Sequence, residues 1–192
     1  MKTIAHSILA ILPLVLAPGA FAQHQTFTVN AAASQVTFLL GGSDHGTHGT
    51  FHVQNGIVDF DRSTPRMSGS IVVAAGSGDT GNKSRDHKMT TEVLDAANFA
   101  EITFTPQSYQ GTIAAAGDST IQVSGIFTLH GTPHNITVPM QIHIEGVDLT
   151  AKTQLVIPYV KWGLKDPSIF ILKVAKEVNV DLTLTGRINP AS

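Results

Sequence analysis

Apolar and polar residues alternate with a period of two along most of this chain. Thr26–Asn30 and Ser34–Leu40 read as the first strands, with Val36 and Phe38 set against Gln35 and Thr37. Thr47–Val53 follows, carrying Phe51 and Val53 on one face. Asn55-Gly56 is a hairpin signal leading into Ile57–Phe60. Met67–Ala75 is apolar on both faces at Ile71-Val72-Val73, and Glu101–Tyr109 places Ile102 and Phe104 together. Thr120–His130 alternates through Ile121, Val123, Gly125, Phe127 and Leu129, and Gly131-Thr132-Pro133 then turns the chain. His134–Glu145, Val147–Ile157 and Glu177–Ile188 complete the series, the last carrying Val178, Val180, Leu182 and Leu184.

One stretch breaks the alternation. From Asn82 to Ala97 the apolar residues Met89, Val93 and Ala96/Ala97 recur at steps of three and four, which predicts a helix. Gly76, Gly78 and Gly81 punctuate the chain before it. A single helix in an all-β chain has to cover something, such as a barrel end or a sheet edge.

About eight long antiparallel strands suit a barrel or a sandwich. An eight-stranded barrel is either filled by side chains or holds one small ligand, and the alternation admits both. The inward positions are mostly medium aliphatics, with Ala151 and Gly125 among them, and nine Phe, two Tyr and one Trp are few to fill a middle. That shortage favours an open apolar cavity. Gly125, without a side chain in mid-strand, leaves room for a backbone or a ligand.

Composition narrows the classes. With 192 residues the chain has the length of one domain. A net charge of −2 without a basic cluster argues against nucleic acid as partner. Zero cysteine removes disulfides and thiolate metal sites. The start reads as a signal peptide over residues 1–22: Lys2, an apolar run from Ile8 to Ala17, and Ala20-Phe21-Ala22 before the cleavage site. The domain then spans 23–192, exported to the periplasm or the medium, with no stable membrane anchor and no acylated cysteine.

Three sets of polar residues invite chemistry. Asp79-Thr80-Gly81 spells the aspartic-protease triplet, but that reaction needs two such carboxylates and the chain has one triplet. His45, His48 and His52 could ligate zinc in an exported metal-dependent hydrolase, the alternative to a binding protein; zinc wants three or four convergent ligands. No G-x-S-x-G elbow is present. Arg85-Asp86 opens the helix either as a structural pair, favoured by the helix dipole, or with Arg85 at a barrel mouth facing an anionic lipid head.

Thr80-Gly81-Asn82, Arg85-Asp86, Leu94, Phe99 and Ile102-Thr103-Phe104 form one group of motif residues. Gly125-Ile126-Phe127-Thr128-Leu129-His130-Gly131 with Ile136-Thr137-Val138-Pro139 forms a second, and Trp162-Gly163-Leu164-Lys165-Asp166-Pro167 a third. In this order the chain resembles the YceI-like family of secreted bacterial lipid-binding proteins, from about Phe27 to Ile188. The family often has a threonine and a basic residue after His-Gly, where this chain has Pro133 and His134. The resemblance implies an eight-stranded antiparallel lipocalin-like β-barrel with one covering α-helix. It also implies a polyisoprenoid, isoprenoid quinone or fatty-acid amide as ligand, bound for transport, storage or stress protection by a monomer or homodimer. No metal or cofactor is implied beyond a bound isoprenoid-type lipid. The candidate ligand-binding side chains are Phe38, Phe51, Arg85, Phe99, Phe104, Phe127 and Trp162.

The leader makes one prediction. The exported protein should begin at Gln23, with its N-terminus free or cyclised to pyroglutamate, as read by intact-mass measurement; a retained Met1 would rule out cleavage.

Overall fold

The computed structural model describes residues 24–43, 46–169 and 173–190. Ten strands appear: β1 His24–Val29, β2 Gln35–Leu40, β3 Thr47–Phe51, β4 Val53–Asp61, β5 Met67–Ala74, β6 Glu101–Gln110, β7 Gly117–Leu129, β8 Thr132–Glu145, β9 Asp148–Ile157 and β10 Val178–Pro190. All are joined antiparallel in one sheet that closes through β1 and β10.

The ten strands occupy eight barrel positions. β10 pairs with β1 over Gly186–Pro190 and with β2 over Asn179–Thr183 on the same edge. β1 and β2 therefore form one stave, broken by a 3-10 turn at Ala31–Ala33, where the Asn30 side chain accepts from the Ala33 amide. β3 and β4 form the next stave, bent at His52: β3 pairs with β2, and β4 with β1. The expected eight-stranded closed barrel with one helix is what the chain forms.

Asn55-Gly56 is not a hairpin. It lies within β4, beside a bulge between Val53 and Asn55. An I′ turn needs positive φ at both central residues, and neither has it. Gly56 instead lets β1 approach closely, since a Cβ there would stand 2.6 Å from Val29 Cγ2. The β7–β8 turn starts one residue earlier than expected and is one residue shorter. Leu129 faces Thr132, so His130-Gly131 is the two-residue loop, with φ of 51° and 71°.

The helix is also shorter than its apolar period suggests. α1 spans Lys83–Lys88 and continues as a wider π turn over Met89–Val93. Asn82 caps it by accepting from the amides of Ser84 and Arg85, both at 3.1 Å. Asp95, with φ of 46°, takes the left-handed conformation that ends it. Asp86 turns back to accept from the Thr80 amide and hydroxyl at 2.8 and 2.7 Å. That hydroxyl bond, first among the causes, holds its carboxyl below the usual carboxylate range. The segment entering the helix also covers the outer edge of β3, where Thr50 and Asp79 exchange backbone hydrogen bonds at 2.9 and 3.0 Å.

The barrel is packed at the end away from the helix. Phe60, Ile121, Ile144 and Leu184 are all nearly inaccessible there. Tyr109 closes it by donating its hydroxyl to the Asp61 carbonyl at 2.8 Å.

Gly125 does not open onto free space. A Cβ on it would stand 2.4 Å from the Thr105 carbonyl oxygen and 2.9 Å from Pro106 Cα, where β6 bulges between Pro106 and Ser108. The room left by the missing side chain is taken up by backbone. Gly125→Leu should therefore cost about 1–3 kcal/mol or more through overpacking, read by denaturant unfolding. An unchanged midpoint would contradict this packing.

Candidate ligand cavity

The helix half of the barrel is not filled. The inward positions of β2, β3, β5–β10 and the helical segment surround a cavity of about 400 Å³. The size falls within the roughly 300–1,000 Å³ range of small-molecule sites. Val36, Val138, Leu155, Ile157, Val180 and Leu182 give it an aliphatic wall. The strands place these residues inward because every second side chain of a closed sheet faces the bore. Met89, Val93 and Leu94 cover it from the helical segment.

Polar groups gather towards the helix. Arg85 and Lys88 are the cations on the lining, and no acidic side chain is among its described residues. Arg85 is exposed and donates to the Thr47 hydroxyl at 2.9 Å. The loop between β9 and β10 meets the helical segment over this end. Lys165 donates to Glu92 at 2.6 Å, tying the loop after β9 to the helical segment; that bond and charge hold Glu92 below the usual carboxylate range. Tyr159 donates to the Ala175 carbonyl at 2.7 Å, and burial pushes its hydroxyl up to about 12. Tyr159 thus stays a neutral donor at physiological pH. Deeper in the wall, the Thr153 hydroxyl is buried without a partner.

Five of the seven candidate side chains line this cavity: Phe38, Phe51, Arg85, Phe104 and Phe127. Phe38 and Phe51 pack together with ring centres 5.4 Å apart. Phe99 and Trp162 do not line it. Phe99 lies against the β7–β8 turn, its ring 4.1 Å from that of His130. Trp162 stacks on His134 with ring centres 4.0 Å apart and lies 5.8 Å from the Phe127 ring, at the helix-end rim of the barrel. Both rings are held by the His-Gly turn and the residues after it. His48 and His52 are exposed, and His45 lies outside the described residues. Among the described residues no three His, Asp or Glu converge as a metal group.

The sequence reading passed over Lys88, Met140, Leu155 and Val180, all on the lining. Lys88 was legible as the residue three after Arg85, on the same helix face. The other three stood in the alternating series, but alternation marks the inward face and not the height along the bore.

Comparison with known proteins places this arrangement. BcnA of Burkholderia cenocepacia superposes with a TM-score of 0.67 at 25% identity, covering 82% of this chain and 99% of that one. A polyisoprenoid binding domain from Saccharophagus degradans superposes with a TM-score of 0.64 over 88% of this chain and all of that domain; at 16% identity it shares the fold. A UPF0312 protein of Pseudomonas savastanoi pv. phaseolicola is 31% identical over 103 residues, so this chain spans about half of that relative, 52%. One from Pseudomonas fluorescens is 28% identical over 149 residues, 72% of each chain. The family model for the YceI-like domain matches residues 27–186, from the first inward aromatic of β1 to the part of β10 that closes the barrel, and this chain belongs to that family.

Proposed function

We propose that this protein encloses one long apolar chain in the helix half of its barrel, without chemical change to it. The observation that carries the reading is the aliphatic cavity of about 400 Å³ in the helix half of the barrel. Each methylene moved from water into such a space contributes roughly 0.8 kcal/mol. About ten of them offset an association cost within the estimated 4–15 kcal/mol. A polyisoprenoid, isoprenoid quinone or fatty-acid amide fits this requirement. The ligand's polar end belongs near Arg85 and Lys88, where its desolvation is avoided. The polyisoprenoid-binding domain of the same fold supports this class of ligand.

The leader over residues 1–22 supports a site of action in the periplasm or outside the cell, where a lipid in transit between membranes needs a carrier. The single chain suffices to build the cavity, so a monomer or a homodimer would serve.

Two measurements test the reading. Mass spectrometry of an organic extract of the purified protein should show a retained long-chain lipid or isoprenoid, absent from an unrelated protein purified from the same cells. Val180 faces the cavity between Phe38 and Leu155, its register partners. Val180→Phe adds bulk to empty volume, so lipid affinity should fall by more than about tenfold with little change in melting temperature. A variant that binds as tightly as the parent would show that the ligand lies elsewhere.

A further inference from the structure

A second apolar space of about 50 Å³ lies in the packed half of the barrel, beyond the main cavity. Three side chains, Ile71, Phe104 and Met140, belong to the walls of both spaces. Ile71 and Phe104 are register partners on β5 and β6. Met140 faces in from β8, three positions further round the ring of eight and so nearly opposite β5. The Phe104 ring leans into the notch at Gly125, with Cε2 3.0 Å from where a Cβ on that glycine would stand. The three therefore meet as a partition between the two spaces.

The partition is apolar throughout, and packing alone holds it. Its members differ in stiffness. Ile71 is β-branched and restricted at χ1. The Phe104 ring is seated against the bulged part of β6 and β7. Met140 is unbranched, with three rotatable bonds, and adapts its shape at low cost.

We propose that Ile71, Phe104 and Met140 form a floor that sets the length of chain this barrel accepts, with Met140 as its movable part. This rests on the reading that the main cavity holds an apolar chain. A chain with its polar end at Arg85 and Lys88 extends towards the floor. A chain short enough to stop there is buried whole. A longer one displaces the Met140 side chain and threads into the smaller space, or leaves its excess in water. The wall on both sides carries no charged group at this depth, so the arriving end of the ligand is a hydrocarbon terminus.

The test uses the delipidated full chain and a homologous series of unbranched primary alcohols, each displacing a fluorescent fatty acid. Below the limit, affinity should rise by about fourfold per methylene, the equivalent of ~0.8 kcal/mol. At the length that reaches the floor the rise should stop. Met140→Ala should move that break to longer homologues. Ile71→Ala should do the same from the opposite wall, and decides the matter if Met140→Ala fails to fold. If neither variant moves the break, or the parent shows none, the floor is overturned while the binding cavity stands. A parent that binds no member of the series overturns the floor together with the reading beneath it.

Discussion

The structure depends on one hydrogen-bonded seam. β10 offers a single edge to two consecutive strands, β1 below and β2 above. That shared pairing closes the sheet, and the one outer edge it leaves, on β3, is covered by the segment around Asp79. It also explains why the chain spends ten strands on eight positions. A bore of fixed width has to be spanned by staves long enough to reach both ends, and the first two staves each bend on the way. The bends are local: a capped 3-10 turn at Ala31–Ala33, and the single residue His52 between β3 and β4.

A closed ring has two ends, and this chain treats them differently. At one, Phe60, Ile121 and Leu184 interdigitate and Tyr109 ties off the rim. At the other, a short helix and the loop between β9 and β10 close over a space that no side chain fills. Asp86 fastens the entry to the helix, Glu92 pairs with Lys165 across it, and Tyr159 anchors the return to β10. The least accessible side chains gather in the packed half, while the other half keeps an empty interior. A ligand that enters binds only the folded state, so it adds to stability in proportion to its occupancy.

The aromatic residues show how the family's motifs divide between these tasks. Phe104 and Phe127 face the cavity as register partners on β6 and β7. Phe99 and Trp162, from the same motifs, brace the rim at the His130-Gly131 turn and at His134. His134, three residues after the His130-Gly131 turn, serves with its ring as a stacking surface for Trp162.

Local periodicity was enough to read the strands, their inward faces and the presence of one helix, because alternation and the helical period are properties of neighbouring residues. The motif residues were enough to read the barrel. Tertiary structure alone decided the rest. Asn55-Gly56 carries a turn signal, yet β1 packs against Gly56 and holds it in a strand. Gly125 leaves room for a backbone or a ligand, and the bulge of β6 is what occupies it. Phe99 and Trp162 have the composition of pocket residues and the position of braces. In each case the outcome rests on a contact between residues far apart in the chain. Whether an inward side chain meets a partner, a backbone or a void depends on what the opposite staves place at the same height, and that height is set by the register of the closed ring.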